Sequence, residues 1–169
     1  MKKLVIFALA ACLLLSLAAC GGGDSAQETN AVSYDAAENF TFTYKGTEIT
    51  LHAPAAAIVD ALGEPVKYTE STSCAFEGLD KSYYYGGFYL ETYPKGEEDF
   101  VYGWWFADDS VSTPEGIYIG ADQAAVEKAY GAENFNGTNT YVVKKAAGTL
   151  TVILTDGVVS SIQYAINLE

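Results

Sequence analysis

The sequence predicts an α+β fold in which two tandem repeats form a largely continuous antiparallel sheet, each repeat being a short helix followed by an antiparallel β-meander. Residues 54–63 and 121–131 are typical of short helices, and both segments close at a glycine. Each is followed by several segments in which apolar side chains alternate, as in half-buried strands. Asp156 and Gly157 separate the last two of these segments and form a strong hairpin signal.

The first repeat is predicted to cover residues 40–110. It begins with strands at 41–45 and 48–51, joined by a turn at Gly46. Proline at the first turn and glycine at the end delimit the helix at 54–63, and its apolar side chains fall on one face. The predicted meander then comprises segments at 66–69, 73–76, 82–85, 88–93 and 100–106.

The second repeat is predicted to cover residues 111–169, with a joint at 111–115. A strand at 116–120 is expected to lead into the second helix. Asp122 precedes this helix and is suited to accept hydrogen bonds from its free N–H groups. The predicted meander of this repeat comprises segments at 141–145, 149–154 and 158–166.

Both repeats carry a short sequence motif at one end of the helix that resembles motifs of a known family. Residues 62–65 (Leu-Gly-Glu-Pro) and residues 120–126 are similar to the tandem repeats of the β-lactamase-inhibitor protein family and related bacterial lipoproteins. The resemblance covers residues 40–169 and implies a sheet that presents a binding surface to a protein partner. Members of that family are stabilised by disulfides, whose cysteines this chain lacks, so inhibition of a β-lactamase does not carry over.

The N-terminal residues have the three parts of an export signal. Lys2 and Lys3 are followed by an apolar run and then by Leu-Ala-Ala-Cys at residues 17–20, which resembles the lipobox of bacterial lipoproteins. The resemblance implies that residues 1–19 are a signal peptide, and that Cys20 carries a diacylglycerol group and becomes the mature N-terminus. A transmembrane anchor and ordinary secretory cleavage are the alternatives, although the apolar run is shorter than the roughly 20 residues that span a bilayer.

A lipidated Cys20 places the protein on the outer face of the cell membrane of a Gram-positive-type bacterium, because two acyl chains anchor a protein stably. Residues 20–39 are mostly small and polar and predict a flexible linker. After removal of residues 1–19, seven lysines face 22 acidic residues, a balance of 7 − 22 = −15. This acidity argues against nucleic acid as a partner, and it fits a solvated surface better than a cation-binding role.

Aromatic residues are concentrated at residues 83–106, which contain 11 of the 23 aromatic residues of the chain. Strand alternation divides them between two faces, one for the core and one open to a ligand. Tyrosine and tryptophan are favoured at recognition surfaces because they combine apolar area with a polar group. The predicted ligand-binding residues are Tyr89, Tyr93, Tyr102 and Trp104; packing of both faces is the alternative.

No residue set indicates an enzyme. The familiar nucleophile and zinc motifs are absent, and one histidine cannot build a multi-histidine metal site, so neither catalytic residues nor cofactors nor metals are predicted. Cys74 is expected to be buried and inert, and His52 to be a structural residue at a strand end. The carboxylates at 97–99 and 108–109 are expected to be solvated at hairpin ends.

The sequence therefore predicts a lipid-anchored, non-enzymatic envelope lipoprotein that binds a protein or peptide through its sheet. The alternative is a lipoprotein that binds a solute or a cell-wall glycan through the same aromatic residues. Its partners are the membrane, reached through the N-terminal lipid, and an envelope protein or peptide. Nothing in the sequence indicates an oligomeric state.

Overall fold

A computed structural model of the protein describes residues 34–168. The predicted signal peptide, Cys20 and the linker up to residue 33 lie outside the described residues. The described elements, in chain order, are β1 (Thr41–Tyr44), β2 (Thr47–Thr50), α1 (Ala55–Leu62), β3 (Lys67–Thr72), β4 (Leu79–Tyr84), β5 (Phe88–Lys95), β6 (Glu98–Phe106), α2 (Gln123–Tyr130), β7 (Thr140–Lys144), β8 (Gly148–Thr155) and β9 (Val158–Ile166).

Seven of the strands form one sheet in the order β3-β4-β5-β6-β9-β8-β7, and every neighbouring pair is antiparallel. The strands after α1 and the strands after α2 form contiguous halves of this sheet, which meet where β6 pairs with β9. β1 and β2 form a separate two-stranded hairpin. The prediction of a helix-containing fold with a largely continuous antiparallel sheet is confirmed at this level.

Both predicted helices are present, and local signals explain their limits. α1 follows Pro54 and ends at Gly63, whose N–H donates to the carbonyl groups of Val59 and Asp60. α2 begins at Asp122, whose carboxylate accepts a hydrogen bond of 2.7 Å from the N–H of Ala125. These contacts satisfy backbone groups that a helix end leaves without partners.

The predicted strand at residues 116–120 is wrong. Gly116 and Gly120 have φ angles of 84° and 98°, a left-handed backbone that does not continue a strand. Thr113 closes this turn instead, because its side-chain oxygen accepts from the N–H of Ile117 and its own N–H donates to the Ile117 carbonyl. The second helix is therefore preceded by turns rather than by a strand.

The packed structure begins before residue 40, within the predicted linker. A short 3-10 helix spans Ala36–Glu38, and Asn39 is buried with 6% of its surface exposed. The Asn39 side-chain amide donates to the carbonyl of Leu51, and its Oδ1 atom accepts from the N–H of Phe40 at 2.7 Å. The backbone carbonyl of Asn39 accepts from the Lys145 ammonium at 2.8 Å. These hydrogen bonds allow a polar side chain to be buried, which composition alone does not predict.

The hydrophobic core lies between one face of the large sheet and the β1–β2 hairpin. The ring of Phe42 in β1 is 5.0 Å from that of Phe88, 6.0 Å from that of Trp104 and 5.2 Å from that of Phe106. α1 packs against β2 and β6, and α2 packs against β7. Burial of this one face leaves the opposite face of the sheet as the open one.

Candidate binding surface on the open face of the sheet

A β-bulge in the β5–β6 hairpin decides which aromatic residues reach the open face. Near the turn, Thr92 pairs with Val101, but the next pair in the ladder is Glu91 with Gly103. Tyr102 is therefore an extra residue on β6 that is not paired with any residue of β5. Because side chains alternate along a strand, one extra residue reverses the faces of all residues beyond it.

Beyond the bulge, two rows of side chains run across the sheet on opposite faces. The core row contains Leu90, Trp104 and Tyr164, which lie at paired positions on β5, β6 and β9 and are at most 2% exposed. The open row lies one residue away along each strand. Its members, at successive paired positions from β4 to β7, are Tyr84, Tyr89, Trp105, Gln163, Thr151 and Val142.

The predicted ligand-binding residues are therefore split between surface and core. Trp104 is fully buried and Tyr93 is 5% exposed, so their predicted places on an open surface are wrong. Tyr89 and Tyr102 are half-buried. Trp105, which was not among the predicted ligand-binding residues, lies opposite Tyr89 on the open face. Gly103 was the available signal, because an isolated glycine within a strand pattern often marks a bulge.

Three half-buried aromatic rings of the open row form a continuous stack. The ring centroids of Tyr84 and Tyr89 are 4.5 Å apart with 26° between the ring planes. Those of Tyr89 and Trp105 are 4.8 Å apart with 30° between the planes. We call these three residues the aromatic row. Within residues 34–168, the hydroxyl groups of Tyr84 and Tyr89 make no hydrogen bond.

A carboxylate lies next to the aromatic row. Glu91 is half-buried, with Ser82 opposite it on β4 and Gly103 opposite it on β6. Its Oε1 atom is buried without a hydrogen-bond partner among the described residues. Burial raises the pKa of the Glu91 carboxyl above its ordinary value, a hydrogen bond from Ser82 lowers it, and the charge of Asp80 adds to the rise.

A cavity of about 490 Å³ lies apart from the aromatic row. Its lining includes His52, Phe76, Tyr93 and Lys95. The buried His52 ring lies 3.0 Å from the Ala147 carbonyl through Nε2 and 3.1 Å from the Tyr93 hydroxyl through Nδ1. A carbonyl can only accept, so Nε2 carries the proton and Nδ1 accepts from Tyr93. Burial is the main factor that lowers the pKa of His52, which favours a neutral ring.

His52 thus fills the structural role predicted for it, directly after β2. The predicted burial of Cys74 is wrong, since its side chain is exposed. The turn that contains Cys74 connects β3 and β4, where the Ser73 hydroxyl accepts from the N–H groups of Ala75 and Phe76. Within this turn the Phe76 ring packs against that of Tyr93, with 4.5 Å between the centroids, whereas Cys74 remains exposed.

Of the carboxylates at the β5–β6 turn, Glu97 and Glu98 are exposed, whereas Asp99 takes part in an ion pair. Asp99 pairs with the Lys81 ammonium at 2.6 Å, and both side chains are about a quarter exposed. Within residues 34–168, no group of three or more His, Cys, Asp or Glu side chains is arranged to hold a metal ion. Neither helix in this part of the chain is long and apolar enough to cross a membrane.

Comparisons of the chain with protein-family models, with curated proteins and with solved structures find no match.

Proposed function

We propose that the protein is a lipid-anchored, non-enzymatic module of the cell envelope that binds a protein or peptide through the open face of its sheet. The aromatic row is the observation that carries this proposal. Tyr84, Tyr89 and Trp105 are large side chains that remain only half-buried near the middle of a sheet whose other face already supplies the core. Rigid aromatic side chains at the centre of a surface are the usual anchors of protein interfaces.

The geometry of the aromatic row supports a protein partner over a glycan. Sugar rings stack on the exposed faces of aromatic rings, but both faces of Tyr89 are covered by its neighbours Tyr84 and Trp105. The row instead presents ring edges and two hydroxyl groups. Ring edges carry partial positive charge and pack well against carbonyl groups and apolar side chains of a protein.

We also propose that α1 with β3–β6 and α2 with β7–β9 are two variants of one repeat, as in the β-lactamase-inhibitor protein family. Each unit starts with an eight-residue helix that ends at a glycine with positive φ, and each continues as an antiparallel meander.

The proposed lipid anchor rests on Cys20 and the lipobox-like sequence that precedes it. Mass spectrometry of the mature N-terminus tests it: we expect S-diacylglyceryl-Cys20, and an unmodified Cys20 contradicts the anchor.

Site-specific photocrosslinking in intact cells tests the proposed binding face. A photoreactive phenylalanine derivative replaces Tyr89 or Trp105 in the full-length protein, and Tyr118, which is 45% exposed outside the sheet, serves as the matched control. We expect a protein adduct of defined mass at positions 89 and 105 and none at 118. Equal labelling at all three positions, or no adduct at 89 and 105, contradicts the proposal. Adducts that a cell-wall hydrolase removes favour the glycan alternative.

A further inference from the structure

The cavity beside His52 combines a buried floor with an exposed rim. Its volume of about 490 Å³ lies within the range of about 300–1,000 Å³ that is typical of small-molecule sites. The floor consists of lining residues that are at most 8% exposed, namely His52, Tyr93 and Ile166. The rim consists of exposed lining residues, namely Ala75, Lys95, Asn167 and Leu168. The cavity is therefore open to solvent and reaches side chains of the core.

Most of the lining is apolar. The half-buried ring of Phe76 packs against the ring of Tyr93, with 4.5 Å between the centroids, and Ile166 and Leu168 add aliphatic side chains. Leu168 is 56% exposed, so a large apolar side chain borders the cavity from the solvent side. A ligand with an apolar body would cover this surface, and removal of apolar surface from water favours binding.

The polar groups of His52 and Asn167 are already used within the protein. Both ring nitrogens of His52 have partners, the Tyr93 hydroxyl and the Ala147 carbonyl. The Asn167 amide donates to two backbone carbonyls of the β7–β8 turn and accepts from the Thr149 hydroxyl. An apolar body in the cavity would therefore leave these groups with their hydrogen bonds, which avoids the usual cost of covering polar atoms.

The charge of the lining differs from that of the chain. Residues 34–168 contain seven lysines and 19 acidic residues, a balance of 7 − 19 = −12. The lining of the cavity nevertheless contains Lys95 and no acidic residue. The positive charge of Lys95 lowers the pKa of His52, in addition to the larger effect of burial, so this charge acts on the cavity floor. The lining therefore favours an anionic group on a ligand.

Acidic residues near the cavity limit the strength of this preference. Glu98 lies at the position paired with Lys95, and Glu77 follows Phe76; both are exposed, and neither lines the cavity. Glu169 follows Leu168 in the sequence and lies outside the described residues. An ammonium group has three N–H donors, so Lys95 can hold a ligand's carboxylate together with a partner from the chain itself.

We propose that the cavity is a separate binding site for a small apolar molecule that carries one carboxylate group. The apolar body, an aromatic ring or a branched chain, lies against Phe76, Ile166 and Leu168. The carboxylate accepts from the Lys95 ammonium at the rim, since charged pairs of this kind form the stronger hydrogen bonds. The inference goes beyond the proposed function, because no residue of the aromatic row lines the cavity.

Indole-3-acetate tests the inference on the full chain in lipid nanodiscs, where no free detergent competes for the cavity. His52 is the one histidine of the sequence, so its carbon-13-labelled ring gives a single NMR signal from the cavity floor. We expect a saturable shift of this signal at constant pH, with a Kd of about 1 mM or below for a ligand of this size. Acetate lacks the apolar body and should cause no saturable shift.

Neutral indole-3-acetamide is the matched probe for the charge. It keeps the ring and the shape of indole-3-acetate, and we expect its affinity to be about twofold to fivefold lower, because an ion pair at an exposed rim contributes modestly. Lys95→Gln should remove this preference for the acid. Lys144→Gln is the control, because Lys144 is an exposed lysine of β7 that does not line the cavity, and it should preserve the preference.

A second pair of variants tests the place of binding. Ala75→Phe adds a ring at the rim, and we expect the affinity for indole-3-acetate to fall about fivefold or more because the ring occupies part of the cavity. Cys74→Phe adds the same ring at the neighbouring exposed position, which does not line the cavity, and should leave the affinity unchanged. Unchanged amide signals of the β7–β9 strands verify the fold of each variant.

The outcomes are independent of the proposed function. Absence of a saturable His52 shift with indole-3-acetate, equal affinities for the acid and the amide, or a preference that survives Lys95→Gln overturns the inference. Wild-type affinity in Ala75→Phe also contradicts it. Binding that depends on Lys95 and Ala75 supports the cavity site, whether or not positions 89 and 105 form crosslinks in cells.

Discussion

The ring of Tyr89 stacks on the ring of Trp105, with 4.8 Å between their centroids, and not on that of Trp104. Lys95 pairs with Glu98 at the turn, and regular pairing from there would bring Trp104 opposite Tyr89. The bulge at Tyr102 moves Trp104 into the core and Trp105 to the surface. A single extra residue thus decides which of two adjacent tryptophans belongs to the candidate binding surface.

Replacement of each tryptophan by alanine should have very different effects on stability. Trp104→Ala removes a fully buried ring that stacks on Tyr164 at 4.8 Å, and we expect a loss of about 3–5 kcal/mol in the free energy of unfolding. Trp105→Ala removes a half-buried ring and should cost about 1 kcal/mol. Urea denaturation of both variants measures this. Equal costs would contradict the register described for β5 and β6.

Gly103 should be the least replaceable glycine of the β5–β6 hairpin. Gly103→Ala places a methyl group against the Tyr164 carbonyl on β9, so the two strands must separate, and overpacking of this kind costs about 1–3 kcal/mol. Gly96→Ala is the control, because Gly96 has a φ of 68° and open space around it. We expect about 1 kcal/mol there, from backbone strain alone. A smaller loss for Gly103→Ala than for Gly96→Ala would disagree with a close β6–β9 approach.

His52 should make stability depend on pH just below neutrality. Burial lowers the pKa of His52 in the folded state, so the unfolded chain takes up the proton first as the pH falls through about 6.5. The contribution of the neutral ring is complete above that pH, and stability decreases as the pH falls below it. Urea midpoints at several pH values from neutral to mildly acidic measure the effect.

The control for this pH dependence is His52→Asn. Asparagine tolerates the positive φ of 63° at this position and does not titrate. The variant should be less stable throughout, because the bonds to Tyr93 and Ala147 are lost, but the decrease near pH 6.5 should be smaller than in the wild type. A decrease of the same size in the variant would show that other groups cause it.

Much of the local structure follows from the sequence because its causes are local. The glycine at the end of each helix, the Asp122 cap and the Asp156-Gly157 turn act over a few residues, and the structure contains each of them. The strand predicted at 116–120 is absent because the glycines at both of its ends adopt positive φ angles. The alternation of apolar side chains, from which the strand was predicted, does not reveal this backbone conformation. The buried Asn39 was missed for a different reason: its partners Leu51 and Lys145 are distant in sequence.

The sequence by itself determined the two helices, most of the strands, the acidic balance and the prediction of a lipid anchor at Cys20. Only the tertiary structure decided that Tyr89 and Trp105 share the open face, that Trp104 and Tyr93 are buried, and that Glu91 lies opposite Gly103 with a buried carboxylate oxygen. The physical reason is the range of the interactions. Helix ends and turns depend on neighbouring residues, whereas strand register and burial depend on β9 and β1, which pack against β6 from distant parts of the chain.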